Sequence, residues 1–200
     1  MMILDDKEIR ALHEKYAPSS EAFELVYTHC EIVCDIAEQL LSRSASSLNA
    51  DLVRAGSLLH DIGVYRLYDA DGRLDHSQYI RHGLLGHELL SGEGLPEEIA
   101  RFCSRHTGVG LTRADVRNQR LPLPVADYLA ESGEELIVMY ADKFHSKVCP
   151  PVFVTAASYA ASIRRFGDDK EAIFDAMRER FGDPDLVPLM ARYGHAVAET

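Results

Sequence analysis

The run VRAGSLLHDIG, Val53 to Gly63, has the composition of a buried helix and finishes on an adjacent imidazole and carboxylate, His60 and Asp61. An unpaired carboxylate withdrawn from water costs several kcal/mol, or stays neutral through a large pKa shift. A chain that buries this pair therefore has to bring a compensating charge to it. The same conflict recurs elsewhere. His29 shares a stripe with Leu25, Ile32 and Ile36, His82 lies with Leu85 and Leu89, His106 with Ile99, Phe102 and Cys103, and Asp142 with Val138 and Met139. These spacings follow the i, i+3, i+4 geometry of a buried helical face, so four further helices each turn one ligand-type side chain inward. One such histidine alone is more often a hydrogen-bonded core residue than a ligand. Four imidazoles with two carboxylates form a mixed nitrogen and oxygen donor set suited to Fe, Mn, Zn or Ni. Buried metal ions would offset the buried carboxylates.

Helical periodicity dominates the chain, with no convincing strand pattern and no repeat, which predicts an all-α fold. Helices are expected at about residues 5–15, 20–42, 50–61, 78–91, 96–106, 132–147, 151–166, 168–181 and 184–194. Pro96 before Glu97 and Glu98 suits a first helical turn, and Ser132 with Glu135 suits a capping box. Gly63, Gly167 and Gly182 stand where helices should stop. Gly83 and Gly86 inside an apparent helix suggest close backbone packing. The 200 residues are 46% hydrophobic, enough for one compact domain over 1–200 that needs no disulfide staple. Four cysteines without a CxxC pair, and an N-terminus unlike a signal peptide, make a reducing cytoplasm the simplest expectation. No apolar run approaches the roughly 20 residues that span a bilayer, so no membrane partner is expected. A formal charge of -11 disfavours nucleic-acid polymers, whose affinity comes largely from phosphate neutralisation. An anionic substrate must then be drawn by a local positive source. The Thr107–Glu131 stretch lacks a strong period and carries Arg113, Arg117 and Arg120, which with Arg81 are candidate substrate-binding residues.

The order His29, the doublet in LLHDIG, and Asp142 in YADKF resembles the HD superfamily of metal-dependent phosphohydrolases over most of residues 20–150. HGLLGHELL and RHTGVGL are similar to the extra histidine motifs of HD subgroups with two metals, including HD-type diadenosine tetraphosphate hydrolases. Closer still is a small HDIG-type group with HTGVGL followed by a Pro-rich stretch and YADK. The cyclic-di-GMP type carries HDIGK, whereas Val64 follows Gly63 here. The resemblance implies an HD-domain helical bundle with a metal-binding core at about 20–150 and additional C-terminal helices at about 151–200. It also implies that His29, His60, Asp61 and Asp142 bind one divalent ion, and that His82 and His106 complete a second site with Asp61 as the bridge.

One or two ions of Fe, Mn, Ni, Co, Zn or Mg would leave a positive centre inside an acidic protein and generate hydroxide from a bound water. The expected function is hydrolysis of a phosphoester or phosphoanhydride of a small molecule, with a nucleotide as the leading substrate class. Asp61 and Lys143 are the candidate catalytic residues, Lys143 through contact with a phosphate or leaving group. His145, one turn after Asp142, is a weaker pocket candidate, while His76 and His87 are expected at the surface or outside the metal shell. Cys30 and Cys34 are read as small buried hydrophobes rather than thiolate ligands. Two alternatives share the donor set: an HD-type di-iron oxygenase, and a non-enzymatic sensor that binds a nucleotide or phosphate without turning it over.

Overall fold

The computed structural model describes residues 3–43 and 47–198, and within them the chain forms ten α-helices and three two-residue strands. The expected all-α architecture is what is found. The helices are α1 (Asp6–Tyr16), α2 (Ser20–Arg43), α3 (Ala50–Leu59), α4 (His82–Gly92), α5 (Glu97–Ser104), α6 (Arg113–Asn118), α7 (Gly133–Ala141), α8 (Ala156–Ile163), α9 (Asp168–Phe181) and α10 (Val187–Tyr193). Several begin on a side-chain cap. Asp5 closes a full capping box with Glu8, and Asn49, Thr112, Ser132 and Thr155 each accept from a backbone N–H of the first turn. The box expected at Ser132 is only half made, because Glu135 turns instead to Arg101 and to the N–H of Glu131. No helix among the described residues is long and apolar enough to cross a membrane.

The long apolar stripe of α2 packs against α3 and α7, and α5 closes the other side of α3. Ile32, Ile36, Leu40, Leu59, Phe102 and Tyr140 are fully buried where these helices meet. The C-terminal helices join the same core through Phe174, Phe181 and Leu189.

Two segments depart from the sequence-based expectation. The helix expected over 132–147 stops at Ala141, passes through a 3-10 turn at Asp142–Phe144, and becomes extended at His145. There β1 (His145–Ser146) pairs antiparallel with β2 (Val152–Phe153), and β2 pairs in parallel with β3 (Ala196–Val197). Val152 and Phe153 are taken up by β2 in place of the start of the helix expected over 151–166, and α8 begins only at Ala156, on the Thr155 cap. Strands of two residues are too short to show an alternating pattern.

Behind Asp61 the chain makes a 3-10 turn, Ile62–Leu67, that presses directly on α4. A Cβ at Gly63 would lie 2.1 Å from the carbonyl oxygen of His82 and 2.2 Å from the nitrogen of Gly86, and one at Gly86 would meet Cys103 Sγ at 2.9 Å. Bare backbone lets the two segments touch, which brings Asp61 beside His82. Gly63→Ala is expected to destabilise the fold at the upper end of the roughly 1–3 kcal/mol typical of overpacking. Urea unfolding reads it as a lower midpoint at constant slope. Gly92→Ala, whose Cβ would meet nothing within 4 Å, is the control and should shift the midpoint little.

Candidate metal centre

Helix ends supply most of the site. His60 follows the last residue of α3, Asp61 comes next, His82 opens α4 after the 3-10 turn His76–Arg81, His106 lies two residues past α5, and Asp142 follows α7. Only His29 projects from mid-helix, in α2. Carbonyls in the last turn of a helix lack intrahelical partners, and a nearby imidazole can satisfy them. His60 Nδ1 lies 2.7 Å from the Ser57 carbonyl, His82 Nδ1 2.6 Å from that of Tyr79, and His106 Nδ1 2.9 Å from that of Phe102. A carbonyl only accepts, so each Nδ1 carries a proton and, in the neutral ring, each Nε2 presents a lone pair; at His60 the Asp61 carboxylate works against burial and holds the ring well above the usual imidazole range, so positive charge is drawn to that position.

The Nε2 atoms of His29, His60, His82 and His106 converge on two carboxylates. Asp61 Oδ1 faces His82 Nε2 at 3.3 Å and His106 Nε2 at 3.4 Å, while its Oδ2 faces His29 Nε2 at 3.3 Å and His60 Nε2 at 3.7 Å. Asp142 Oδ1 lies 3.0 Å from His29 Nε2 and 3.5 Å from His60 Nε2. The Nε2 atoms of His82 and His106 stand 2.9 Å apart. Burial pushes His82 down to about 3 and lowers His106, so both are neutral. Two lone pairs and a carboxylate oxygen then face one another with no proton between them. His60 Nε2 and Asp61 Oδ1 are also buried without any hydrogen-bond partner. A cation would satisfy every one of these acceptors, so the residues present fit the divalent metal that the donor set implies. Two groups have the compactness of a ligand set: His29, His60 and Asp142, and His60, Asp61 and His106. The structure therefore brings together all six side chains expected as ligands.

The imidazole of His29 is held from behind. Its Nδ1 lies 2.9 Å from His145 Nδ1, and His145 Nε2 lies 3.0 Å from His195 Nδ1. Burial, with His29 and His195 alongside, pushes His145 down to about 2 and keeps it neutral. A chain of such contacts orients a ligand ring in the way outer partners do in metal sites.

Two lysines reach the carboxylates. Lys143 Nζ donates to Asp142 Oδ2 at 2.6 Å and to the His106 carbonyl at 2.9 Å, and Lys147 Nζ pairs with Asp61 Oδ2. Burial alone would raise both carboxyls, but Lys147 and His60 hold Asp61, and Lys143 and His29 hold Asp142, well below the usual carboxylate range. Lys147 was not visible as a site residue from the sequence. Had the helix continued to 147 as expected, a residue five positions past Asp142 would have pointed away from it; the turn at Phe144–His145 redirects it.

Above Asp142 opens a cavity of about 360 Å³ lined by His29, Tyr79, Lys143, Lys147 and Tyr159 among others. Arg113, Arg117 and Arg120 do not line it. They lie exposed on α6 and the turn after it, where Val116 is buried and Asp115 pairs with Lys170 at 2.6 Å. Arg81 is half-buried directly before His82. His76 is exposed, and His87 turns away to Ser104 and Glu97, while Cys30 and Cys34 are buried free thiols.

Residues 26–147 match the family model of the HD domain, more than half of the chain, and the chain belongs to that family. Over 130 residues it is 37% identical to a tRNA (cytidine(56)-2'-O)-methyltransferase of Picrophilus torridus, a match covering 64% of this chain and 33% of that protein. It is 36% identical over 122 residues to the uncharacterised protein MJ0778 of Methanocaldococcus jannaschii, covering 60% and 65% respectively. The chain thus spans about a third of the length of the first relative and just under two thirds of the second. Among solved structures it is similar in fold to the HD domain of the L. monocytogenes phosphodiesterase PgpH, with a TM-score of 0.53 and 17% identity over 94% of this chain and 99% of that one. The same domain in complex with cyclic-di-AMP gives a TM-score of 0.53 and 18% identity, covering 96% and 99%.

Proposed function

We propose that this chain is a metal-dependent phosphohydrolase acting on a small phosphorylated molecule, with a nucleotide as the leading class. The observation that carries the reading is the convergence of four imidazole Nε2 atoms on Asp61 and Asp142 beneath an open cavity that also holds two ammonium groups. His29, His60, Asp61 and Asp142 would hold one divalent ion, and His82 and His106, with Asp61, a second. Bound there, such ions supply charge for phosphoryl oxygens and lower the pKa of a water toward neutrality. The chain contributes the rest. Lys143 ties Asp142 to the His106 backbone and adds positive charge at the floor of the cavity. His145 holds His29 in place, and the burial of His29, His60, Asp61, His82 and His106 strengthens the interactions among them. That the Listeria HD domain belongs to a phosphodiesterase and was solved with cyclic-di-AMP supports a nucleotide as the first substrate to try. Metal analysis of the purified protein, coupled to a panel of phosphomonoesters, diesters and anhydrides with Mn, Fe, Co, Ni and Mg, tests the reading. Absence of hydrolysis under every metal would overturn it, and oxygen-dependent turnover with iron would replace it by an oxygenase.

A second cleft of about 350 Å³ adjoins the cavity, sharing Gly108, Tyr159 and Ser162 with it, and is walled by Leu111, Leu121 and Phe166. Phe166 is 46% exposed there, and the Arg165 guanidinium lies over one face of its ring, 4.7 Å from the centroid. A base lying in this cleft would stack on Phe166. Base stacking on an aromatic ring is worth about 1–3 kcal/mol, so Phe166→Ala should raise the nucleotide KM by at least roughly fivefold. Metal content should not change. Equal KM values for the two proteins would place the base elsewhere.

A further inference from the structure

Lys147 sits on the one oxygen that the metal reading also needs. Its Nζ contacts Asp61 Oδ2, the same atom that faces His29 and His60, and it lies 5.5 Å from the centre of the Tyr79 ring. Its side chain is 14% exposed, and it lines both the cavity above Asp142 and a neighbouring one of about 540 Å³ bounded by Leu25, Tyr68 and Val148. Within the chain, then, an ammonium answers the charge of the buried carboxylate. A divalent ion on Oδ2 and an ammonium on the same oxygen repel strongly in so dry a site. Lys143 is placed differently: it is anchored on Asp142 Oδ2 and a backbone carbonyl, on the opposite side from the oxygen shared by the imidazoles, and has no such conflict.

We infer that Lys147 is a displaceable counter-cation, which yields Asp61 to the incoming metal and then holds a phosphoryl oxygen of the substrate at the cavity mouth. The direction of the swing follows from the surroundings. The stem emerges from the segment after β1, the cavity lies on its open side, and the Tyr79 face offers a resting place for a cation along the way. One flexible four-carbon stem with three donors suits both positions, because it binds as a point charge without the fixed fork of an arginine. The substrate half of this inference rests on the phosphohydrolase reading; the competition with metal does not.

Two measurements on the full chain test it. Lys147→Met should bind Mn(II) more tightly than wild type, since the competitor for Asp61 is gone. Once loaded with Mn(II), it should bind inorganic phosphate roughly ten- to hundredfold more weakly, the loss expected for a hydrogen bond between charged groups. Unchanged or weaker Mn(II) binding, or unchanged phosphate binding, would overturn the inference. A lysine that only neutralises Asp61 would leave phosphate binding by the loaded protein untouched. Wild-type protein supplies an arm that needs no variant to fold. Acetylation of Lys147, followed by mass spectrometry, should speed up several-fold when Mn(II) is added and slow again when inorganic phosphate is added. A reaction rate indifferent to Mn(II) would equally overturn it. Should all substrates resist hydrolysis while both Mn(II) effects appear, the phosphohydrolase reading fails and the counter-cation stands.

Discussion

Asp61→Ala is expected to lose most of its bound metal and to lower turnover by more than the roughly 100-fold that losing an outer partner of a ligand costs. The reason is geometric. One oxygen of Asp61 faces His82 and His106, the other faces His29 and His60, so this single carboxylate serves both halves of the centre. No other acid replaces it, because Asp142 reaches only His29 and His60 and is held from behind by Lys143. The fold should partly survive, since Lys147 at the cavity mouth can turn to water once its partner is gone. Metal analysis alongside far-UV circular dichroism checks both statements. Full metal content and full turnover in Asp61→Ala would remove Asp61 from the centre.

The double variant His82→Ala, His106→Ala separates two ions from one. Both rings are buried, both are neutral, and their Nε2 atoms point at each other and at Asp61 Oδ1. Such an arrangement of acceptors is unfavourable unless a cation lies among them. With protein purified without chelator and then given Mn(II), wild type should carry about two ions and the variant about one, with a large fall in kcat. The His29, His60 and Asp142 group should still hold its ion. A wild type that never exceeds one ion with Mn(II) or Fe(II) in excess would leave His82 and His106 as pocket residues.

Much of this arrangement could be read from the chain because helices impose a regular spacing on what they bury. His29 and His82 lie on the stripes that carry Ile32 and Leu89, while His106 and Asp142 follow those of Phe102 and Val138 just past the ends of α5 and α7, and all six polar side chains meet there. The rest of the site lies where regular spacing ends. Lys147 reaches the site through a break at Ala141 that no glycine or proline marks locally. The strands β1 to β3 owe their existence to partners far along the chain, and a two-residue pairing leaves no periodic trace. The arginines of the 107–131 segment illustrate the opposite difficulty. Their charge suggested contact with an anion, but which face of α6 is covered depends on Val116 and on the distant Lys170, neither of which a charge pattern reveals.

The small sheet has a practical consequence for anyone handling this protein. Strand β3 lies against β2, and His195 immediately before it stacks on His145, whose other nitrogen supports His29. Strand β3 is therefore three imidazoles away from the two carboxylates. A histidine-rich segment introduced just after this strand would add competing imidazoles next to that row, so metal stoichiometries measured on such a fusion would describe the added histidines as much as the centre.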